Sequence, residues 1–261
     1  DHIDLPATIE GNAITWTSSN SAVINVNGTV TPPESGSVTV KLTATIGTVK
    51  KEFDVIVLPT TISDYIYQND YSSAADDKNS EGVKTGAGGW ASTNAPNQVT
   101  VEEDSTHGKY IQFAPGQQNS RGAFTNFGID TSKVNSVYCV EFDLSLKAGD
   151  NQTTEFALTG TDHNYKINDG ITAGYILRMA ATNSTKWSIN GSPEVDIPAS
   201  WVHVLAVVDA SKNVATIEIK DDTNTYFQGA VEINGNGILK GMYVRGGRYN
   251  SVTKVDNVNV Y

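Results

Sequence analysis

Val38-Thr39-Val40-Lys41-Leu42-Thr43-Ala44-Thr45-Ile46 alternates apolar with polar or small residues from end to end. In a strand, period two puts Val38, Val40, Leu42, Ala44 and Ile46 on one face, whereas a helix would scatter them around its axis. The neighbouring sequence reads the same way. Ala13–Thr17, Thr29–Thr31 and Lys51–Leu58 are further strand candidates, and Asn27-Gly28, Pro32-Pro33 and Ser35-Gly36 supply turns between them. The whole chain has 26 Val, 19 Ile and 28 Thr against nine Leu and two Met. β-Branched side chains suit pleated strands and lose rotamer freedom in helices, so the fold class is all-β.

The chain divides near Pro59. Residues 1–59 read as a small sandwich and residues 60–261 as a larger one. The larger part holds about a dozen strand candidates, among them Ser136–Leu146, Val202–Asp209 and Val214–Ile219, as a two-sheet jelly roll requires. Asn69–Gly89 lacks strand character and reads as loop. With a net charge of −11, the 261-residue chain is a poor match for nucleic acid or an anionic membrane surface. No apolar run reaches the length of a membrane span. Cys139 is the sole cysteine, which excludes an internal disulfide and a thiolate metal cluster. A chain that starts at Asp1, rich in Asn, Thr, Ser and Gly, reads as a processed piece of a secreted or cell-surface bacterial protein.

Leu5-Pro6, Ile14-Thr15-Trp16-Thr17-Ser18-Ser19-Asn20, Val23-Ile24, Gly28-Thr29-Val30 and Leu42-Thr43-Ala44-Thr45 resemble the atrophied bacterial immunoglobulin-like domain. That resemblance implies a spacer, with Trp16 in its core. Tyr67-Gln68-Asn69-Asp70-Tyr71, Gly89-Trp90, Val140-Glu141-Phe142-Asp143-Leu144, Trp201-Val202-His203-Val204 and Val255-Asp256-Asn257-Val258 resemble the concanavalin-A-like, laminin-G-like jelly rolls used as carbohydrate-binding modules. This second likeness implies calcium between the first and last strands, where Asp70 and Asp256 stand.

Catalytic patterns are incomplete. Jelly-roll glycoside hydrolases carry Glu-x-Asp-x-x-Glu on one strand, but Glu141-Phe142-Asp143 is followed by Leu146 where the second Glu belongs. Met242 to Asn250 has a faint likeness to the closing strand of alginate lyases, yet their Gln-x-His strand has no counterpart, and His203 lies in a strand expected to be buried. No catalytic residue is assigned.

Sugar recognition needs aromatic faces and planar hydrogen-bonding groups. Trp90 and Trp187 are the stacking candidates; Trp201 reads as core. All four arginines, Arg121, Arg178, Arg245 and Arg248, fall in the second part, although the chain has 14 Lys. A guanidinium fork matches a carboxylate or a pair of hydroxyls in a way an ammonium does not. Tyr243 and Tyr249 complete the candidate set. The expected function is non-catalytic polysaccharide binding, directing an appended secreted enzyme to plant-wall glycans, pectic ones first and neutral glucans next. The chain is expected to be monomeric. An adhesion module that binds protein and a jelly-roll lyase are the alternatives.

Overall fold

The computed structural model describes all residues except 35, 61–64, 76–77, 80–81, 84–88, 93–97, 115–120, 149–153, 161–172, 184 and 247–249. Its contacts divide the chain into Asp1–Asp64 and Tyr65–Tyr261.

In the first unit, a short ladder joins β1 (Thr8–Ile9) to β2 (Asn12–Ala13). A three-stranded antiparallel sheet is formed by β3 (Thr15–Ser18), β4 (Val38–Ile46) and β5 (Val49–Val57). The alternation of β4 works as the sequence requires: Val40 and Leu42 are buried with Ile24 and Val57, and Lys41 points outward to Glu52 at 2.6 Å. Thr29–Thr31, expected as a strand, supplies only isolated bridges, Thr29 to His2 and Val30 to Ile24. Gly28 sits at φ +84°, and a Cβ there would meet the Ile3 carbonyl oxygen at 2.0 Å, so only glycine lets the first segment pair at that turn. Trp16 is not fully enclosed. It lines an apolar groove of about 390 Å³ with Ile9, Ile46, Val49 and Phe53, and its indole N–H donates to the Pro6 carbonyl.

The second unit contains β6 (Tyr67–Asn69), β7 (Lys78–Asn79), β8 (Gly82–Val83), β9 (Trp90–Ser92), β10 (Val99–Asp104), β11 (Gly108–Phe113) and β12 (Arg121–Asn126). It continues with β13 (Val137–Lys147), β14 (Glu155–Thr159), β15 (Tyr175–Ala181), β16 (Lys186–Ile189), β17 (Val195–Asp196) and β18 (Trp201–Asp209). The last four strands are β19 (Val214–Lys220), β20 (Thr225–Glu232), β21 (Gly241–Gly246) and β22 (Val252–Val260). β7 and β8 lie within the stretch read as loop. Among the described residues there is no α-helix, and no helix is long and apolar enough to cross a membrane.

Two sheets form the sandwich. The eight-stranded sheet runs β10-β11-β22-β13-β18-β19-β20, with β6 pairing to the end of β22. The nine-stranded sheet runs β17-β16-β15-β14-β21-β12-β9-β8-β7. Runs of consecutive strands, such as β14-β15-β16-β17 and β18-β19-β20, are joined by pairings between strands distant in sequence, such as β13 with β22 and β14 with β21, as in a jelly roll. Inward-facing Phe142 on β13 meets Phe156 on β14 with ring centroids 5.1 Å apart, which ties the sheets together through the core.

One irregularity positions a functional side chain. Glu141 pairs with Asn259 but Asp143 pairs with Asp256, so β22 carries an extra residue there, and Asn257 takes φ +50°. This β-bulge lets Val255 and Val258 both face the core and sets Asp256 beside Asp143 on the opposite face.

Candidate functional site

On β14, Phe156 and Leu158 point into the main core, so Glu155 and Ala157 must face away from it. The register extends that outer face sideways. Ala157 lies opposite Tyr243 on β21 and Arg178 on β15, while Glu155 lies opposite Arg245. Arg178 and Arg245 therefore stand on either side of Glu155. The Arg178 Nη2 donates to Glu155 Oε1 at 2.5 Å; Glu155 is 3% exposed and the Arg178 side chain 27%. The Nε of Arg178 is buried and has no hydrogen-bond partner.

Local structure holds Arg178 in place. Asn190, in the left-handed region at φ +48°, accepts from the Arg178 amide through Oδ1 and donates through Nδ2 to the carbonyls of Ile176 and Glu232. Asn tolerates that backbone conformation better than most residues, and here its side chain stitches β15 to the turn after β16.

The other proposed sugar-binding residues scatter. Trp90 is 2% exposed and Trp187 is fully buried; both belong to the main core. The Trp90 indole N–H donates to the Tyr71 hydroxyl at 3.1 Å. With no free ring face, neither can stack on a sugar, which corrects the expectation for both. Tyr243 lies on the right face but is fully buried in a small apolar cluster with Phe124 and Ala157, so it supports the face without contacting a ligand. Arg121 opens β12 opposite Gly246, and its side chain lies outside the described residues. Arg248 and Tyr249 also lie outside them.

A second polar region occupies the outer face of the eight-stranded sheet. A cleft of about 680 Å³ is lined by Asp104, His107, Asp143, Trp201, His203 and Lys220, among others. His203 was expected to be buried, but it points outward with its side chain 40% exposed, and its Nδ1 lies 3.0 Å from Asp143 Oδ1. That hydrogen bond raises the His203 imidazole above its usual range despite burial. Burial works to raise the Asp143 carboxyl, but hydrogen bonds from His203 and Asn257 prevail and hold it low. Trp201, expected in the core, is also outward, with its ring stacked on His107 at 4.1 Å. Alternation alone could have shown that Trp201 and His203 share a face opposite Val202 and Val204. Glu155 left a comparable signal as the lone charged residue in Glu155-Phe156-Ala157-Leu158-Thr159.

Asp256 is the most unusual group on that face. It is fully buried, and neither carboxylate oxygen has a hydrogen-bond partner. Burial outweighs the lowering pull of the Asn257 main-chain amide and, with added repulsion from Asp143, Asp70 and Asp104, pushes its carboxyl up to about 7. Asp70 is exposed and caps a turn, its Oδ1 accepting from the amide and hydroxyl of Ser72. Among the described residues, no group of three or more His, Cys, Asp or Glu is arranged to hold a metal by itself. Calcium takes six to eight oxygen ligands, carbonyls included, and a desolvated carboxylate with two unmatched oxygens fits one place in such a shell.

No curated protein sequence matches the chain. Among solved structures, it is similar to a sialidase at 14% identity, covering 85% of this chain and 21% of that one, with a TM-score of 0.44. The chain thus spans about a fifth of the sialidase's length. The Emp47p carbohydrate recognition domain is similar at 12% identity, with 76% and 98% covered and a TM-score of 0.47. Peanut lectin is similar at 11% identity, with 67% and 90% covered and a TM-score of 0.47. In the family comparison, residues 1–60 match the atrophied bacterial Ig domain.

Proposed function

We propose that Tyr65–Tyr261 is a non-catalytic polysaccharide-binding module and that the immunoglobulin-like unit before it is a spacer. In this reading they belong to a secreted or cell-surface bacterial protein, act as a monomer, and hold an appended enzyme on plant-wall or other glycans. The observation that carries it is the placement of Arg178 and Arg245 on either side of Glu155, with the Arg178 side chain 27% exposed. A ligand oxygen that meets the exposed part of that side chain can take a charge-assisted hydrogen bond. Partly exposed Tyr175, packed against the small apolar cluster on this face, adds an aromatic surface.

Arg178→Lys and Arg245→Ala should each weaken binding to a glycan that the parent retains on an affinity gel. Lysine keeps a charge beside Glu155 but loses the planar fork. A lost hydrogen bond to a charged group is worth about 1.5–3 kcal/mol, roughly ten- to a hundredfold in affinity. Parental affinity in both variants would move the site off this face. Removing residues 1–58 should leave the affinity unchanged, because a spacer makes no ligand contacts; loss of binding would place contacts in the first unit.

Calcium is proposed at Asp256, with Asp70 beside it. The ion would neutralise a buried carboxylate and so serve stability rather than chemistry. The unmatched Asp256 oxygens support this assignment.

Eliminative cleavage of a uronate polymer is a second reading. It draws on His203, which Asp143 holds at the rim of a cleft as a general base would need to be held. Incubation with polygalacturonate and with alginate, followed at the absorbance of unsaturated products, should give a flat trace. Rising absorbance that disappears in His203→Ala would replace the binding reading.

A further inference from the structure

We infer that Glu155 is a specificity-determining residue of the arginine face and that it selects an uncharged, hydroxyl-bearing glycan over a polyuronate. The inference rests on the polysaccharide-binding reading above and sharpens it.

Two arginines on one face suggest an anion receptor, but the carboxylate between them alters the electrostatics. Glu155 takes the Nη2 of Arg178 at 2.5 Å and lies in register with Arg245, so the three side chains together carry a charge of +1 rather than +2. Because Glu155 is 3% exposed, solvent screens it poorly. A ligand carboxylate that met the exposed part of the Arg178 side chain would lie close to the Glu155 carboxylate bound to the same guanidinium. Repulsion from Glu155 would then offset the attraction of Arg178. A sugar hydroxyl meets no such penalty. It can accept from the exposed part of Arg178 and also donate, which a carboxylate cannot do. Specificity of this kind comes from a repulsive element built against the competitor.

The carboxylate also acts through Arg178. Its bond to the guanidinium orients the fork before any ligand arrives, while Asn190 fixes the main chain of β15 at Arg178. Glu155 is thus a positioning residue for neutral ligands and a repulsive one for anions.

The test uses the whole chain and four probes: cellohexaose, laminarihexaose, maltohexaose and hexagalacturonate, each titrated by calorimetry at low and high salt. Wild type should bind at least one neutral hexaose with little salt dependence and bind hexagalacturonate more weakly. Glu155→Gln should narrow that gap by about tenfold, and added salt should reverse only part of the gain, because the buried group is poorly screened. If Glu155→Gln weakens both classes in proportion, Glu155 is only structural and the inference fails while the binding reading survives. Tighter, salt-sensitive binding of hexagalacturonate by wild type also overturns it, and this result needs no variant, so a Glu155→Gln chain that fails to fold leaves the question answerable. If wild type binds none of the four, the binding reading falls and takes the inference with it.

Discussion

At pH 8, Asp256→Asn should raise the melting temperature in the presence of chelator and abolish the further rise that calcium gives wild type. The folded carboxyl sits at about 7, against an ordinary value of 3.8. A carboxyl raised by folding binds its proton more tightly in the native state. The stability it lends is therefore full below pH 3.8 and is lost as pH climbs to 7. Above pH 7, wild type without calcium carries an ionised, unpartnered Asp256 at a cost on the order of 4 kcal/mol.

Asparagine removes the charge but leaves a buried amide to satisfy, worth about 1–3 kcal/mol in the opposite direction. The net gain should be a few degrees in a unit of this size, where about 1 kcal/mol moves the melting temperature by 2–4 °C. Calcium bound only by the native state adds about 2.7 kcal/mol at a hundredfold excess over its dissociation constant. Thermal melts of wild type and Asp256→Asn at pH 5 and pH 8, with EDTA or calcium, measure all these terms. Wild type without calcium should melt higher at pH 5 than at pH 8, and the variant should lack most of that difference. A variant that melts lower than wild type in EDTA and keeps the pH slope would show that the carboxylate already has a native partner.

Trp187→Ala should cost about 3–5 kcal/mol, the range for removing a large aromatic from a packed core. That corresponds to roughly 6–20 °C in melting temperature. Trp187 is fully buried on β16 and belongs to the main core with Ile189 and Met179. Its loss opens a cavity that rigid neighbouring strands cannot collapse to fill. Trp90→Ala should behave alike and also strands the Tyr71 hydroxyl, which now receives the indole N–H. Urea titrations give the stability, and affinity measured below the transition separates the roles. Both variants should keep parental glycan affinity in the folded fraction. A Trp187→Ala protein as stable as wild type but unable to bind glycan would return that ring to the surface and to the site.

Local chemistry determined much of this protein. Alternation in Val38–Ile46 and the excess of Val, Ile and Thr dictated strands, because period two and β-branching act within a few residues of each other. The same local signals marked Arg178 and Arg245 as unusual cations within strands. Tertiary structure alone decided which face of each strand met the other sheet. Lys186-Trp187-Ser188-Ile189 shows that Trp187 and Ile189 share a side, and only the sandwich made that side interior. Trp201 and His203 share a side too, and theirs faces outward, across from Val202 and Val204 in the core. Glu155 comes between two arginines because β14 pairs with β15, the next strand, on one edge and with β21, distant in sequence, on the other, and no local pattern encodes that second pairing. Asp256 is buried beside Asp143 because a one-residue bulge shifted the register of β22. A side chain's exposure depends on which strand lies next to it and which sheet lies over it, and both are properties of the assembled sandwich rather than of the strand's own residues.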